Sequence, residues 1–444
     1  VSSSGGIPFI GAFESTYMPA HDKDVTETTG HRERWREDLA LLAACHVRRL
    51  RYPILWHRVE PEPGCFDWAH TDEVLGYMHD HGFEPIADLL HHTSHPRWLG
   101  DLGSPEFEPA FMRFVEAVAE RYPWLPGYTV CNEPFTTFLM CGDLGYWPPH
   151  DRGLEGLIRL TRNVFPGVTR ASRALKELLP DAQHVHVEAT ERHTWSNKAG
   201  KAFATMTNDR RFFFTDLLMG RQIDPSRPFV RDLIEAGGED LLSIEPGHID
   251  VLGLDYYAHN QWHWTGAGQG TNSPPAPAPL ADLVTEYWER YRTPLILGET
   301  NIRGFASDRA TWLKYTLEQC EAARDRGADV QGYCWYPFID SADWGSLLVE
   351  CVGAIDPVGV FWLDENLDRR ASCMSVSYAM AASGVPAAEL PAYRLQAPVS
   401  DWIAGWVPHM SDWEWRRPPL GEPCSNTHLP EDRIEIELRT EDVA

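Results

Sequence analysis

The chain has 444 residues, 39 of them basic and 65 acidic, for a formal net charge of −26. A surface that negative repels phosphate backbones and anionic headgroups, which excludes nucleic-acid binding and electrostatic membrane docking as leading functions. Hydrophobic residues at 43 % and charged residues at 23 % exclude a largely disordered chain, and the length admits several domains or one large α/β barrel.

The aromatic content of 18 Trp, 15 Tyr and 18 Phe suits stacking on ring-shaped ligands as well as a large core. Nine cysteines, Cys45, Cys65, Cys131, Cys141, Cys320, Cys334, Cys351, Cys373 and Cys424, include no C-x-x-C pair. That argues against a disulfide framework and a structural zinc site. Val1–Gly6 has no basic start, and no run approaches the ~18 apolar residues of a membrane span. The expectation is a cytoplasmic protein.

Eight short β-rich runs follow one another along the chain: Pro8–Phe13, Arg49–Trp56, Pro85–Leu90, Gly127–Cys131, His184–Ala189, Asp250–Tyr257, Pro294–Glu299 and Gln331–Phe338. Between them lie helix-periodic stretches. Trp35, Leu39 and Leu42 form one stripe, and Phe111, Phe114, Val115, Val118 and Tyr122 another. Ala171, Ala174, Leu175 and Leu178, and later Leu313, Leu317 and Cys320, repeat the pattern, with Gly82, Pro180 and Gly327 as stops. Eight alternations describe a (β/α)8 TIM barrel. An open doubly wound sheet would show a Gly-rich first turn, whereas the first strand here runs into Glu14-Ser15-Thr16-Tyr17.

The proline-rich Asn272–Pro279 reads as a semi-rigid loop after strand six. Past about Val385 the rhythm stops, yet Trp402, Trp406, Trp413 and Trp415 remain, and a disordered tail would be poor in aromatics. The expected organisation is a catalytic barrel over residues 7–385 and an extension over 386–444 packed on it.

Active sites of such barrels sit at the C-terminal ends of the strands. Strand four ends in Cys131-Asn132-Glu133-Pro134 and strand seven in Gly298-Glu299-Thr300-Asn301. Two carboxyl groups across one barrel mouth are the parts of a glycosidase, although each Glu could equally bond a neighbouring loop or Arg. Three histidines, His91, His92 and His95, follow strand three. A metal reading of them is disfavoured, because adjacent strand residues face opposite ways and no cluster with ligand spacing accompanies them.

With those residues in hand, the chain resembles glycoside hydrolase family 1, the β-glucosidase/β-galactosidase family of retaining barrels, from about Phe9 to Tyr378. Thr129-Val130-Cys131-Asn132-Glu133-Pro134 is similar to Thr-x-Asn-Glu-Pro, and Leu297-Gly298-Glu299-Thr300-Asn301 stands where the family has Ile/Val-Thr-Glu-Asn-Gly. The resemblance implies that Glu133 is the general acid/base and Glu299 the nucleophile. Arg51, in a run similar to Tyr-Arg-Phe-Ser-Ile-x-Trp-x-Arg, would then sit beneath the nucleophile and favour its ionised form. Tyr257, in Asp255-Tyr256-Tyr257, would hydrogen-bond the nucleophile. His92, Asn132 and Asp343 would bind sugar hydroxyls. Trp335 would be the platform under the sugar, with Trp344 closing a motif similar to Trp-Ser-x-x-Asp-Asn-Phe-Glu-Trp.

Departures fall on the groups that choose among sugars. Met18 stands where the family has a Gln, Asp343 for a Glu, Asp255 for an Asn and Gly298 for a Thr. One residue too many separates Trp335 from Trp344. Met18 cannot make a Gln's two hydrogen bonds, so the sugar is expected to lack or present differently a hydroxyl there, unless another loop supplies a donor. The resulting expectation is a retaining, exo-acting β-glycosidase acting on small unphosphorylated β-glycosides, with no cofactor and no metal. Its partner is a carbohydrate substrate, not nucleic acid or membrane. A transglycosidase with the same intermediate, a non-catalytic carbohydrate-binding barrel and a metal-dependent hydrolase are the alternatives.

Overall fold

The computed structural model describes residues 6–272 and 274–394. Eight strands, β1 Phe9–Ala12, β2 Arg49–Pro53, β3 Glu84–Asp88, β4 Gly127–Thr129, β5 Gln183–Ala189, β6 Val251–Asp255, β7 Leu295–Glu299 and β8 Val330–Cys334, each fall within or beside one of the expected runs. They form one closed barrel in which every strand pairs in parallel with its sequence neighbours, and β1 closes the ring on β8. This is the (β/α)8 TIM barrel.

The helices that carry the expected stripes pack outside it: α1 His31–Ala44, α2 Ala69–Asp80, α3 Phe107–Arg121, α4 Gly153–Leu178, α5 Leu280–Tyr291, α6 Ala306–Asp325 and α7 Cys373–Ala382. Helix α2 stops before Gly82, whose φ of 68° a side chain would disfavour.

Strand alternation splits the core in two. Ile10, Ala12, Ile86, Val185, Val187, Val251, Ile296 and Cys334 fill the barrel interior. Phe9, Leu50, Leu252, Leu254, Leu295, Leu297 and Tyr333 face outward into the larger core shared with the helices. The parity of a residue on its strand therefore decides whether it can reach the mouth.

Several loops carry short strands of their own, among them those after β1, β5 and β6. Tyr17–Met18 pairs with Lys23–Asp24 after β1. Arg192–Trp195, after β5, pairs with Gln261–Gly266, after β6, which in turn pairs with Gln269–Thr271. Residues 274–279 are irregular, as their prolines require. The start of the expected extension packs on α6, where Lys314 Nζ donates to the carbonyls of Ala387 and Ala388, each at 2.7 Å. Its four tryptophans lie outside the described residues.

Candidate active site

Glu133 follows β4 and Glu299 ends β7, so the barrel carries both to its C-terminal mouth. Both are buried, at 7 % and 3 % exposure, and each offers a carboxylate oxygen within 4.8 Å of the other. Glu133 adopts φ 40°, ψ 65°, a left-handed conformation unusual for a side-chain-bearing residue and common at functional sites. Its N–H donates to Val187 O at 3.2 Å, which ties the turn to β5.

The surroundings treat the two carboxyls differently. Glu299 Oε1 accepts from Arg51 Nη1 at 2.6 Å and Oε2 from the Tyr257 hydroxyl at 2.8 Å. Both partners stabilise negative charge on it. Arg51, 2 % exposed on β2, also donates to Asn132 Oδ1 at 2.5 Å and to Asp88 Oδ2 at 3.3 Å. Glu133 has no guanidinium in contact. Burial and the charge of Glu299 push its carboxyl well above the ordinary range, against the weaker pull of Arg51 and a Thr136 hydrogen bond. Glu299 is thus held by two donors, while burial and the neighbouring Glu299 favour a proton on Glu133. Arg51, Glu133, Glu299, Tyr257 and Asn132 stand together as the sequence suggested.

The histidines do not follow the expected strand geometry. Strand β3 ends at Asp88, and His92 sits in a left-handed turn with φ 53°. The His91 and His92 rings therefore lie 4.7 Å apart and converge on Asn132 Nδ2, at 3.5 and 3.4 Å, instead of facing opposite ways. His91 meets Asp88 Oδ2 at 2.8 Å and the Tyr336 hydroxyl at 3.0 Å, while His92 meets Thr137 Oγ1 at 3.0 Å and lies 3.8 Å from Glu133 Oε2 through Nε2. Burial, with His91 and Arg51 nearby, lowers His92 well below its ordinary value and keeps it a neutral hydrogen-bonding ring. Burial opposes charge on His91 too, but Asp88, Glu14 and Glu299 outweigh it and raise its affinity for a proton.

Met18 is buried in the hairpin, where its sulfur accepts from Thr93 Oγ1 at 3.1 Å. The polar group that the post-β1 segment brings to the histidines is Glu14, whose Oε1 lies 3.7 Å from His91 Nε2. Glu14, Asp88 and Tyr336 are site-lining residues that reading strand ends by motif missed. Asp88 is in fact the last residue of β3, and reading the strand as two residues longer concealed it.

The platform assignment is corrected at β8. Cys334 and Tyr336 belong to the barrel interior, whereas Trp335 is fully buried in the outer core and donates from Nε1 to Val358 O at 2.9 Å. The two neighbours just past the end of β8 thus fall in different cores, so Trp335 points away from the mouth and Tyr336 toward it. Counting from Tyr336 to Trp344 also removes the surplus residue in the motif comparison. Trp344 is half-buried, 6.1 Å from the Tyr336 ring and 5.6 Å from Tyr257. Asp343 is turned into its own loop, with its carboxylate accepting from Gly353 N at 2.8 Å and Ala354 N at 3.0 Å. Trp147 Nε1 donates to Leu347 O at 2.8 Å and joins the loops after β4 and β8, strands on opposite sides of the ring. That tie crosses the mouth.

The Glycosyl hydrolase family 1 model matches residues 12–293, well over half of the chain. The chain belongs to glycosyl hydrolase family 1. It is similar to a β-galactosidase of Saccharolobus solfataricus, 24 % identical over an alignment of 325 positions that covers 62 % of this chain and 63 % of that protein, under two thirds of its length. An aryl-phospho-β-D-glucosidase of Bacillus subtilis is 23 % identical over an alignment of 248 positions that covers 50 % of this chain and 51 % of that one. Among solved structures, the β-glucosidase of Thermotoga maritima in complex with a calystegine derivative superposes with a TM-score of 0.72 at 18 % identity. That superposition covers 86 % of this chain and 98 % of the other, and at this identity it speaks for the barrel fold.

Within this family 1 barrel, the one group of His, Cys, Asp or Glu ligand atoms close enough to share an ion, among the described residues, is Glu133, Asp255 and Glu299, all within 4.8 Å. The histidines after β3 are not part of it. No helix among the described residues is long and apolar enough to cross a membrane.

Proposed function

We propose that the protein is a retaining, exo-acting β-glycosidase that hydrolyses small unphosphorylated β-glycosides by double displacement. The observation that carries the reading is the close approach of Glu133 and Glu299, with oxygens within 4.8 Å. Retaining glycosidases keep their carboxyls ~5–5.5 Å apart, and inverting ones leave ~6.5–9.5 Å for a water.

Glu299, held by Arg51 and Tyr257, attacks the anomeric carbon while Glu133 protonates the departing oxygen. Besides burial, the charge of Glu299 is what raises the Glu133 carboxyl. Once Glu299 is esterified that charge is gone, so Glu133 becomes the stronger acid and releases its proton. It then serves as the base that activates water for the second displacement.

The tie from Trp147 to Leu347 favours a short substrate entering by its non-reducing end over a long chain threading through. At the sugar's far end stand Glu14, His91 and His92, an arrangement of acceptors and imidazoles that suits hydroxyls. The β8 loop carries Asp340, Asp343 and Glu350. The nearby Arg303 is paired at 2.6 Å with Asp356, which makes it a poor receptor for a sugar phosphate. We place the protein in a reducing compartment, since its cysteines from Cys45 to Cys373 are thiols, most of them buried.

The test is NMR of the first-formed product from an aryl β-glycoside. A β-anomer is expected, and an α-anomer would overturn the mechanism. Preference for the 6-phospho-β-glucoside over the plain glucoside would overturn the substrate class.

A further inference from the structure

Asp255 closes β6 with its side chain inside the barrel, in phase with Val251 and Gly253. Its carboxyl is wholly buried, and neither oxygen has a hydrogen-bond partner. The titratable and charged groups that face it are Glu133 after β4, Glu188 on β5, Tyr257 after β6, Glu299 on β7, Cys334 on β8 and Arg51 on β2. An oxygen of Asp255 lies within 4.8 Å of oxygens of both Glu133 and Glu299.

The carboxyl occupies a space that only glycine leaves. A Cβ on Gly298, the residue before Glu299, would stand 2.4 Å from Asp255 Oδ1 and 3.1 Å from Val187 Cγ1. Two of the departures noted in the sequence, at 255 and 298, are therefore one structural feature.

A buried carboxylate without a donor is costly, and a second anion beside Glu299 costs more. The one cation facing Asp255, Arg51, is already committed to Glu299, Asn132 and Asp88. Burial and the charge of Glu299, joined by that of Glu133 whenever it ionises, act to keep a proton on Asp255, against the pull of Arg51.

We propose that Asp255 is a third functional carboxyl of this active site, carried as the neutral acid, and that its proton holds the Glu133–Glu299 pair at a single negative charge. It is a positioning residue, because it acts on the charge of the pair and not on the sugar. The proposal rests on the reading of Glu133 as acid/base and Glu299 as nucleophile. Double displacement needs one proton on that pair, on Glu133. An ionised Asp255 would draw a second proton onto it and silence the nucleophile.

The first measurement does not depend on turnover. An infrared difference spectrum at pH 7 in chelator-treated buffer, wild type minus Asp255→Asn, is expected to show the carbonyl band of one protonated carboxyl. Asp255→Ala gives the same subtraction should the amide variant not fold. Absence of the band overturns the proposal, as does a stoichiometric divalent cation whose removal changes activity.

The second is the pH profile of kcat/KM. Replacing a neutral acid by a neutral amide leaves the acidic limb in place within ~0.3 pH unit, whereas removing an anion would move it down by about a unit or more. The third uses Gly298→Ala, which is expected to lower kcat/KM about tenfold by crowding Asp255, but less than about threefold in an Asp255→Ala background. Equal losses in both backgrounds would mean that the space serves something other than this carboxyl. If no glycoside is turned over, the infrared band still decides the charge of Asp255, so failure of the enzymatic reading and failure of this proposal are separate results.

Discussion

Arg51→Met tests the charge logic of the site at its centre. The substitution keeps an apolar stem of similar length and removes the fork that serves Glu299 at 2.6 Å and Asn132 at 2.5 Å. Glu299 is 3 % exposed, so water does not replace the lost partner, and only the Tyr257 hydrogen bond remains. Taking one partner from a buried ion pair costs about 3–5 kcal/mol. That cost falls on ionised Glu299, the form the first displacement requires. The variant escapes it by protonating or displacing the carboxylate, and either route removes the nucleophile. The expected loss in kcat/KM on an aryl β-glycoside is therefore roughly 150- to 5,000-fold. Arg51→Lys restores a charge but cannot serve Glu299 and Asn132 together, so it falls between. Initial rates are read beside a thermal midpoint and circular dichroism, which separate a lost nucleophile from a lost fold. A folded Arg51→Met enzyme within about tenfold of wild type would refute the reasoning.

Three further outcomes are expected. Glu299→Ala abolishes turnover and azide restores part of it, while Glu133→Ala spares activated aryl glycosides and cripples substrates with poor leaving groups; rate ratios on the two substrate kinds decide, and equal losses in both variants sink the roles. Trp335→Ala lowers stability by about 3–5 kcal/mol, as loss of a fully buried indole should, and leaves the kcat/KM of the folded enzyme near wild type, whereas Tyr336→Ala, also buried, lowers both; loss of kcat/KM in the folded Trp335→Ala enzyme alone would restore Trp335 as the platform. Glu188 is wholly buried, and burial with the Glu133 charge raises its carboxyl well above the ordinary range. Above the ordinary carboxyl pKa the unfolded chain releases this proton and the folded one keeps it, so wild type loses stability as pH rises toward the folded value. Glu188→Gln lacks that loss and gains on wild type by up to about 1.4 kcal/mol per pH unit in this window; urea midpoints at pH 5 and pH 8 that differ equally between the two proteins would contradict it.

Part of this protein is written in nearest-neighbour order along the chain. Eight short β-rich apolar runs separated by helical stripes specify the barrel, because strand composition and helix periodicity are local properties and closure then follows from right-handed β-α-β connection. The positions of Glu133, Glu299 and Tyr257 were legible too, since each lies at or just past a strand's C-terminal end, where the fold puts its mouth; Arg51, inside β2, was legible only through its motif. What the tertiary structure decided is everything that turns on a single residue's phase or on two strands at once. At β8, a slip of one position exchanges Trp335 for Tyr336, and no composition or propensity distinguishes two aromatics side by side. At His92, a left-handed turn folds the ring back beside His91, where an extended strand would have separated them. Asp343 turned into its own loop because Gly353 and Ala354 offered free N–H groups. The Asp255 and Gly298 departures look independent in sequence, 43 positions apart. They become one feature only when β6 and β7 lie side by side, because steric exclusion between strands acts through space and leaves no trace in the local pattern of either.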